Sequence, residues 1–135
     1  MSEQMTFARK ASGLVRVGPD LVVSALTGPW RAAQGTSLVV SDTTRNQGGG
    51  AAGASVTRFY LSGNGALDAT DVLLGSRAVA ALAAGASSLA STSLAIPAGT
   101  VAGSYYVIAR TDDEGAVVET VETNNTRALS LRVDP

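Results

Sequence analysis

Apolar and polar residues alternate along most of the chain after residue 19, in short runs that glycine, proline and acidic turns interrupt. In residues 55–62, Thr57, Phe59 and Leu61 fall on one side of an extended chain, opposite Val56, Arg58 and Tyr60. A period of two is typical of a β-strand with one buried face. The pattern predicts seven or eight strands, over residues 21–26, 36–46, 55–62, 77–82, 87–96, 104–111, 116–121 and 126–133.

Many short strands separated by turns predict an all-β sandwich or small barrel. Residues 63–75 are expected to form a glycine-punctuated loop with room for one helical turn. The alanine-rich stretch 78–86 suggests a helix, but Gly85 and the flanking sequence favour strand and turn. The predicted core consists of the inward positions of these strands: Leu21, Val23, Leu38, Val40, Phe59, Leu61, Leu94, Ile96, Val107, Leu129, Leu131 and Val133.

Residues 1–18 differ in hydrophobic pattern from the rest of the chain, and they are expected to form an N-terminal arm or linker before a domain over 19–135. Phe7, Ala11 and Leu14 lie at approximate helical spacing among basic residues, so a short amphipathic helix and an extended arm both stay open. The first residues lack the apolar region of a signal peptide. No run of about eighteen apolar residues predicts a membrane span.

The composition excludes several classes of function. With a net charge of −1, no bulk field attracts nucleic acid or an anionic membrane. The chain has no histidine and no cysteine, which removes the commonest general base and every thiol nucleophile. The glycines at 48–50 lack the helix and lysine of a phosphate-binding loop. We therefore expect neither enzymatic activity nor an organic cofactor.

The metal that the sequence suggests is calcium, in a loop that lacks the dense acidic pattern of a typical calcium site. Asn64, Asp68 and Asp71 fall within eight residues of one loop, and oxygen donors on a flexible backbone suit calcium. The favoured alternative is a turn in which the Asp68 carboxylate accepts backbone amides that follow it. Glu119 and Glu122 form a second acidic set, which can join the first only if the fold brings them together.

Aromatic residues make up 4% of the chain, so each one is considered singly. Alternation sends Tyr105 and Tyr106 to opposite faces, one to the core and one outward. Trp30 follows a Gly–Pro bend and either covers the end of the core, which is the favoured interpretation, or forms an exposed contact. Trp30 and Tyr106 are the candidate binding surface. Asn125, like its neighbour Asn124, is expected to bind nearby backbone and fix the entry to the last strand.

Four stretches in order resemble the CARDB family, the cell-adhesion-related domain of bacterial and archaeal surface proteins. They are PDLVV at 19–23, TRNQG at 44–48, FYLS at 59–62 with LD and DVLLG beyond it, and YY at 105–106 followed by ETVETNN at 119–125. The resemblance covers residues 19–133. It implies an immunoglobulin-like antiparallel β-sandwich of about seven strands, an extracellular or cell-surface location, and no catalytic residues.

Three hypotheses for function follow. The leading one is a non-catalytic adhesion, interaction or spacer module of a prokaryotic surface protein, whose partner is a protein, a surface glycan or a neighbouring domain. The second is a self-assembling subunit that pairs with copies of itself through sheet edges and the arm. The third is carbohydrate or calcium-dependent ligand binding through Trp30, an outward tyrosine and the loop at 64–71.

Overall fold

The computed structural model describes residues 18–112 and 125–135, and every regular element in them is a β-strand. Alternating side chains favour this result, and the alternation of buried and less buried residues is clearest in the strands over residues 37–46 and 55–62. The strands are β1 (Leu21–Thr27), β2 (Arg31–Ala33), β3 (Ser37–Asn46), β4 (Ser55–Ser62), β5 (Val72–Val79), β6 (Ser87–Ala95), β7 (Gly103–Arg110) and β8 (Thr126–Asp134).

Two sheets contain these strands. The first has the order β1-β3-β6 and the second the order β2-β8-β7-β4-β5. All pairings are antiparallel except that of β2 with β8, which is parallel and places Arg31 beside Arg132. The predicted β-sandwich is confirmed, with this parallel pair as an addition that the sequence did not indicate.

The core lies between the inner faces of the two sheets. Phe59 of β4 is fully buried at its centre, against aliphatic side chains from both sheets. All the predicted core residues are buried except Leu129, which is half-buried and packs against the others. A second, smaller cluster contains Leu21, Ala52, Val79 and Leu82. Burial of these apolar side chains is the main driving force for folding.

One strand prediction is wrong, and one observed strand was not predicted. The strand expected at 77–82 is β5, which begins at Val72 and ends at Val79, because its first residues are apolar but exposed at a sheet edge. Leu82 instead makes an isolated bridge with Ala52. The sequence pattern predicts no strand at the position of β2, whose pairing partner lies about a hundred residues further along the chain. The strand expected at 116–121 lies outside the described residues.

A polar network joins the two sheets inside the sandwich. The Arg77 guanidinium of β5 donates to both carboxylate oxygens of Asp42 on β3, at 2.7 and 3.0 Å. It also donates to the hydroxyl and carbonyl oxygens of Ser88 on β6. The Thr44 hydroxyl donates to Asp42 and bonds the hydroxyl of Thr57 on β4. Because Asp42 is fully buried, these bonds replace the water that its charge loses.

Asn46 fastens the end of β3 to three other segments. Its side-chain oxygen accepts the amides of Asp20 and Gly48, at 3.0 and 3.1 Å. Its side-chain nitrogen donates to the carbonyl oxygens of Gly50 and Leu82. The side chain is completely buried and bonded at both ends, so the motif around it has a structural role.

Candidate binding surface

Trp30 stands at the edge of the five-stranded sheet, immediately before β2. Its backbone carbonyl accepts the amide of Arg132 at 2.8 Å, which holds the residue beside β8. The side chain is 65% exposed, so the interpretation of Trp30 as a core cover is wrong. The parallel pairing of β2 explains the error, since it carries Trp30 along the outer edge of β8 instead of over the end of the core.

An arginine is held against the Trp30 ring. The guanidinium carbon of Arg31 lies 4.9 Å from the ring centroid, a distance typical of a cation–π contact. Asp134 fixes the same guanidinium through two bonds of 2.8 and 3.0 Å. Hydrogen bonding to Arg31 lowers the pKa of Asp134, and the same contact raises the pKa of Arg31. The pair is exposed, so it orients the arginine more than it stabilises the fold.

A cleft of about 310 Å³ opens next to the indole. Tyr106 on the outer face of β7 forms part of its wall, and Ser130 of β8 lies directly opposite Tyr106. The cleft thus combines aromatic rings, hydroxyls and a guanidinium, which suits a ligand that has both apolar faces and hydrogen-bonding groups. The full lining is Trp30, Ser104, Tyr105, Tyr106, Ser130, Leu131 and Arg132.

The structure therefore brings together Trp30 and Tyr106, the two residues predicted as a binding surface. Tyr105 belongs to the lining of the cleft, but its side chain packs against the core, and its hydroxyl donates to the carbonyl oxygen of Val101 at 2.6 Å. The opposite orientation of the two tyrosines is confirmed. Arg31, Ser104, Ser130 and Arg132 were not predicted, because only the sheet order places them beside the two aromatic residues.

The loop after β4 lies beside this cleft. A β-carbon placed on Gly65 would lie 3.4 Å from the Tyr106 ring, and Gly65 has a positive φ of 78°. Inside the loop, the Asn64 side-chain oxygen accepts the hydroxyl of Ser62 at 2.8 Å and the amide of Ala66 at 3.1 Å. The loop is thus closed by its own side chains and meets the aromatic wall at a glycine.

The three predicted calcium ligands are all in this loop. Asp68 accepts the amide and the hydroxyl of Thr70 on one oxygen, at 2.9 and 2.6 Å, and the Asn64 amide nitrogen on the other. Asp71 accepts the amide of Asp68 at 3.0 Å. The bonds from Thr70 lower the pKa of Asp68. This is the turn geometry offered as the alternative to a metal site, and calcium binding stays a prediction.

The other polar predictions fall near or outside the described residues. The Asn125 side chain is buried, and its nitrogen donates to the carbonyl oxygen of Thr111 at 3.4 Å, as expected for a residue that fixes the entry to β8. Glu119, Glu122 and Asn124 lie outside the part of the chain that the structure describes.

Among residues 18–112 and 125–135, no three acidic side chains group into a metal-binding cluster. Over the same ranges, no helix has the length and apolar character needed to cross a bilayer.

Comparison with known proteins identifies the fold. The family model of CARDB matches residues 18–129. The chain is similar to the CARDB domain of a Pyrococcus furiosus protein solved in complex with di-metal ions, at 24% identity and a TM-score of 0.67, over 91% of this chain and 95% of that one. It is also similar to a domain of a predicted cell-surface protein from Methanosarcina acetivorans, at 25% identity and a TM-score of 0.64, over 86% and 92% of the two chains.

One further likeness is to an enzyme. A β-glucosidase from Listeria innocua in complex with glucose matches at 22% identity and a TM-score of 0.54, over 87% of this chain and 16% of the enzyme. The match therefore concerns a small part of that chain and shows the fold alone. A search of the curated proteins finds no match.

Proposed function

The chain belongs to the CARDB family, a family of surface-protein domains, and we propose that it is a non-catalytic interaction module that contacts its ligand through the cleft of Trp30 and Tyr106. The observation that carries the proposal is the 65% exposure of Trp30 beside a guanidinium already held in place. Tryptophan, tyrosine and arginine are the side chains enriched at binding hot spots. An ordered surface of this composition loses little conformational entropy when a ligand docks.

The hydrogen-bonded polar groups inside the sandwich support a non-catalytic role. Asp42 and Arg77 pair with each other and with neighbouring hydroxyls, away from the cleft. Asn46 is bonded to backbone at both ends of its amide. These groups hold the fold together, which leaves the cleft with aromatic rings, hydroxyls and the Arg132 guanidinium, groups suited to binding.

The ligand we propose is a surface glycan or a protein presented outside the cell, in keeping with the surface-protein relatives. Sugar rings have apolar faces that pack on Trp30 and hydroxyls that bond Ser104, Ser130 or Arg132 around the same cleft. A protein would use the same aromatic and arginine side chains as anchors.

Intrinsic fluorescence provides a direct test, because Trp30 is the chain's sole tryptophan. We expect a ligand from a panel of surface oligosaccharides and surface proteins to shift its emission. Calorimetry should show the same ligand losing at least about tenfold in affinity with Trp30→Ala, which corresponds to about 1.4 kcal/mol. Val39→Ala, at an exposed position on the other sheet, is the matched control. A ligand that binds Trp30→Ala as tightly as wild type would contradict the cleft as the contact surface. A panel in which no ligand binds would leave the spacer role as the function of the domain.

A second candidate is metal-dependent binding, which the di-metal complex of the Pyrococcus furiosus relative favours. In this chain it would use Asn64, Asp68 and Asp71. We give it second rank because the oxygens of this loop already accept hydrogen bonds from the loop itself.

A further inference from the structure

Strand β6 (Ser87–Ala95) forms one edge of the three-stranded sheet and, within residues 18–112 and 125–135, pairs with β3 alone. We propose that this edge pairs antiparallel with β6 of a second copy, so that two three-stranded sheets join into one. The proposal is independent of the Trp30 cleft, which lies on the other sheet.

Within the part of the chain that the structure describes, the β3–β6 ladder leaves the alternate backbone amides of β6 without a strand partner. The amide of Ile96 donates to Thr36 at 2.8 Å, and the carbonyl oxygen of Ala86 accepts the amide of Asn46 at 2.9 Å. In an antiparallel ladder the direction of these groups alternates, so even-numbered residues bond β3 and odd-numbered amides face the free edge. The odd-numbered residues are also the exposed ones: Ser87, Leu89, Ser91, Ser93 and Ala95.

This edge lacks the features that usually prevent strand pairing. Its nine residues contain no charge and no proline, and its register with β3 runs without a bulge. Charged side chains, prolines, bulges and short strands are the common means of protecting an edge. The other edges have such means: β1 is interrupted by a register shift after Val23, β2 has three residues, and β5 pairs β4 across a shift.

The chemistry of β6 fits its own copy. In a two-fold pairing every residue meets a residue of the same strand, so an uncharged strand meets no like charge. With Ser91 on the axis, Leu89 faces Ser93 of the other copy and Ser87 faces Ala95, and each facing pair exchanges two backbone bonds. Leu89, 73% exposed in the single chain, then lies within a continuous sheet. A charged partner strand would find no counter-charge on β6.

Proline at position 91 tests the edge with little disturbance elsewhere. The Ser91 amide faces the free edge, so Ser91→Pro removes a donor that only the pairing uses. Ser91→Ala is the matched control, because it deletes the hydroxyl bond to Ser41 but keeps the amide. We expect sedimentation of the full chain to show a concentration-dependent dimer that does not grow further. Ser91→Pro should weaken dimerisation at least about tenfold in Kd, and Ser91→Ala should leave it nearly unchanged.

Two further variants keep the test decisive. If Ser91→Pro fails to give a cooperative thermal transition, Ser91→Lys places two like charges on the axis and should weaken the dimer equally. Val39→Lys adds a charge to the outer face of the central strand β3 and should leave edge pairing intact. A monomer at all concentrations, or a dimer that Val39→Lys disrupts and Ser91→Pro does not, would overturn the proposal.

Discussion

The Arg77 guanidinium and the Asp42 carboxylate form a two-bond ion pair between the sheets, at 2.7 and 3.0 Å, with Asp42 fully buried and Arg77 10% exposed. Asp42 belongs to the inward side of β3, which otherwise carries apolar or small polar groups. The pair therefore connects β3 to β5, strands that belong to different sheets.

We predict that Asp42→Ala lowers the free energy of unfolding by about 3 to 5 kcal/mol, because it leaves the Arg77 charge buried without its partner. Replacing both residues, as Asp42→Leu with Arg77→Met, should recover most of the loss, since an apolar pair carries no desolvation cost. Urea denaturation measures both. The exposed Arg31 provides the comparison, and Arg31→Ala should leave the midpoint nearly unchanged. A double variant whose loss of unfolding free energy equals the sum of the losses of its two single variants would refute the coupling between Asp42 and Arg77.

Gly48 is expected to tolerate no side chain. A β-carbon there would overlap the Gly18 carbonyl oxygen and lie 2.7 Å from the Asp20 nitrogen, and both atoms belong to backbone. Gly48→Ala should therefore cost about 2 kcal/mol or more, because the segment entering β1 must move. Gly53→Ala is the control, since nothing lies within 4 Å of its added carbon. Thermal denaturation of the two variants should separate them clearly, and equal midpoints would contradict the contact.

The Asp68 carboxylate should titrate below its ordinary range, because the Thr70 hydroxyl and amide bond its charged form. A lowered pKa in the folded chain means that the contribution to stability is present above the unfolded pKa, near 4 by ordinary values, and is lost as the pH falls through the folded value. Thr70→Val should raise the Asp68 pKa towards normal. Carboxyl chemical shifts followed between pH 2 and about 6 measure this, and an unchanged value would exclude the Thr70 hydroxyl as the cause.

Calcium binding at Asn64, Asp68 and Asp71 predicts a rise of the melting temperature with calcium that a chelator reverses. Asp71→Asn should abolish the rise because it removes a charged ligand. If the loop is a turn and no more, calcium and chelator give the same midpoint in wild type. The variant then differs only through the lost charge at the oxygen that accepts the Asp68 amide.

Alternation along the strands was sufficient to predict the sandwich and most of its central cluster, because burial on one face repeats every second residue. It did not predict Ala52, Val79 and Leu82 of the smaller cluster. The alternation failed where apolar residues are exposed and where a strand depends on a distant partner. Val72 and Leu73 open β5 as exposed apolar residues, and Arg31–Ala33 becomes a strand only because β8 is available beside it. Such elements depend on distant parts of the chain, which a local pattern does not contain.

The candidate site was predictable in its two aromatic residues but not in its arrangement or its other side chains. Composition singled out Trp30 and Tyr106, yet their meeting requires the order β2-β8-β7, which no local signal gives. The inward position of Asp42 was visible in the alternation Leu38, Val40, Asp42, Thr44, and it could have suggested a buried partner. The sequence could not show that this partner is Arg77, because the pattern predicted the wrong starting residue for β5.

The parallel pairing of β2 with β8 has a mechanical consequence. Tension applied between the segment that precedes β2 and the end of β8 pulls these two strands lengthwise past each other, so their bonds share the load and must rupture together. Antiparallel end strands would instead open bond by bond from one end. We expect tandem copies under single-molecule traction to unfold at a force that falls when Ala32→Pro removes a rung of this pair, whereas Val39→Ala on the other sheet should leave the rupture force unchanged.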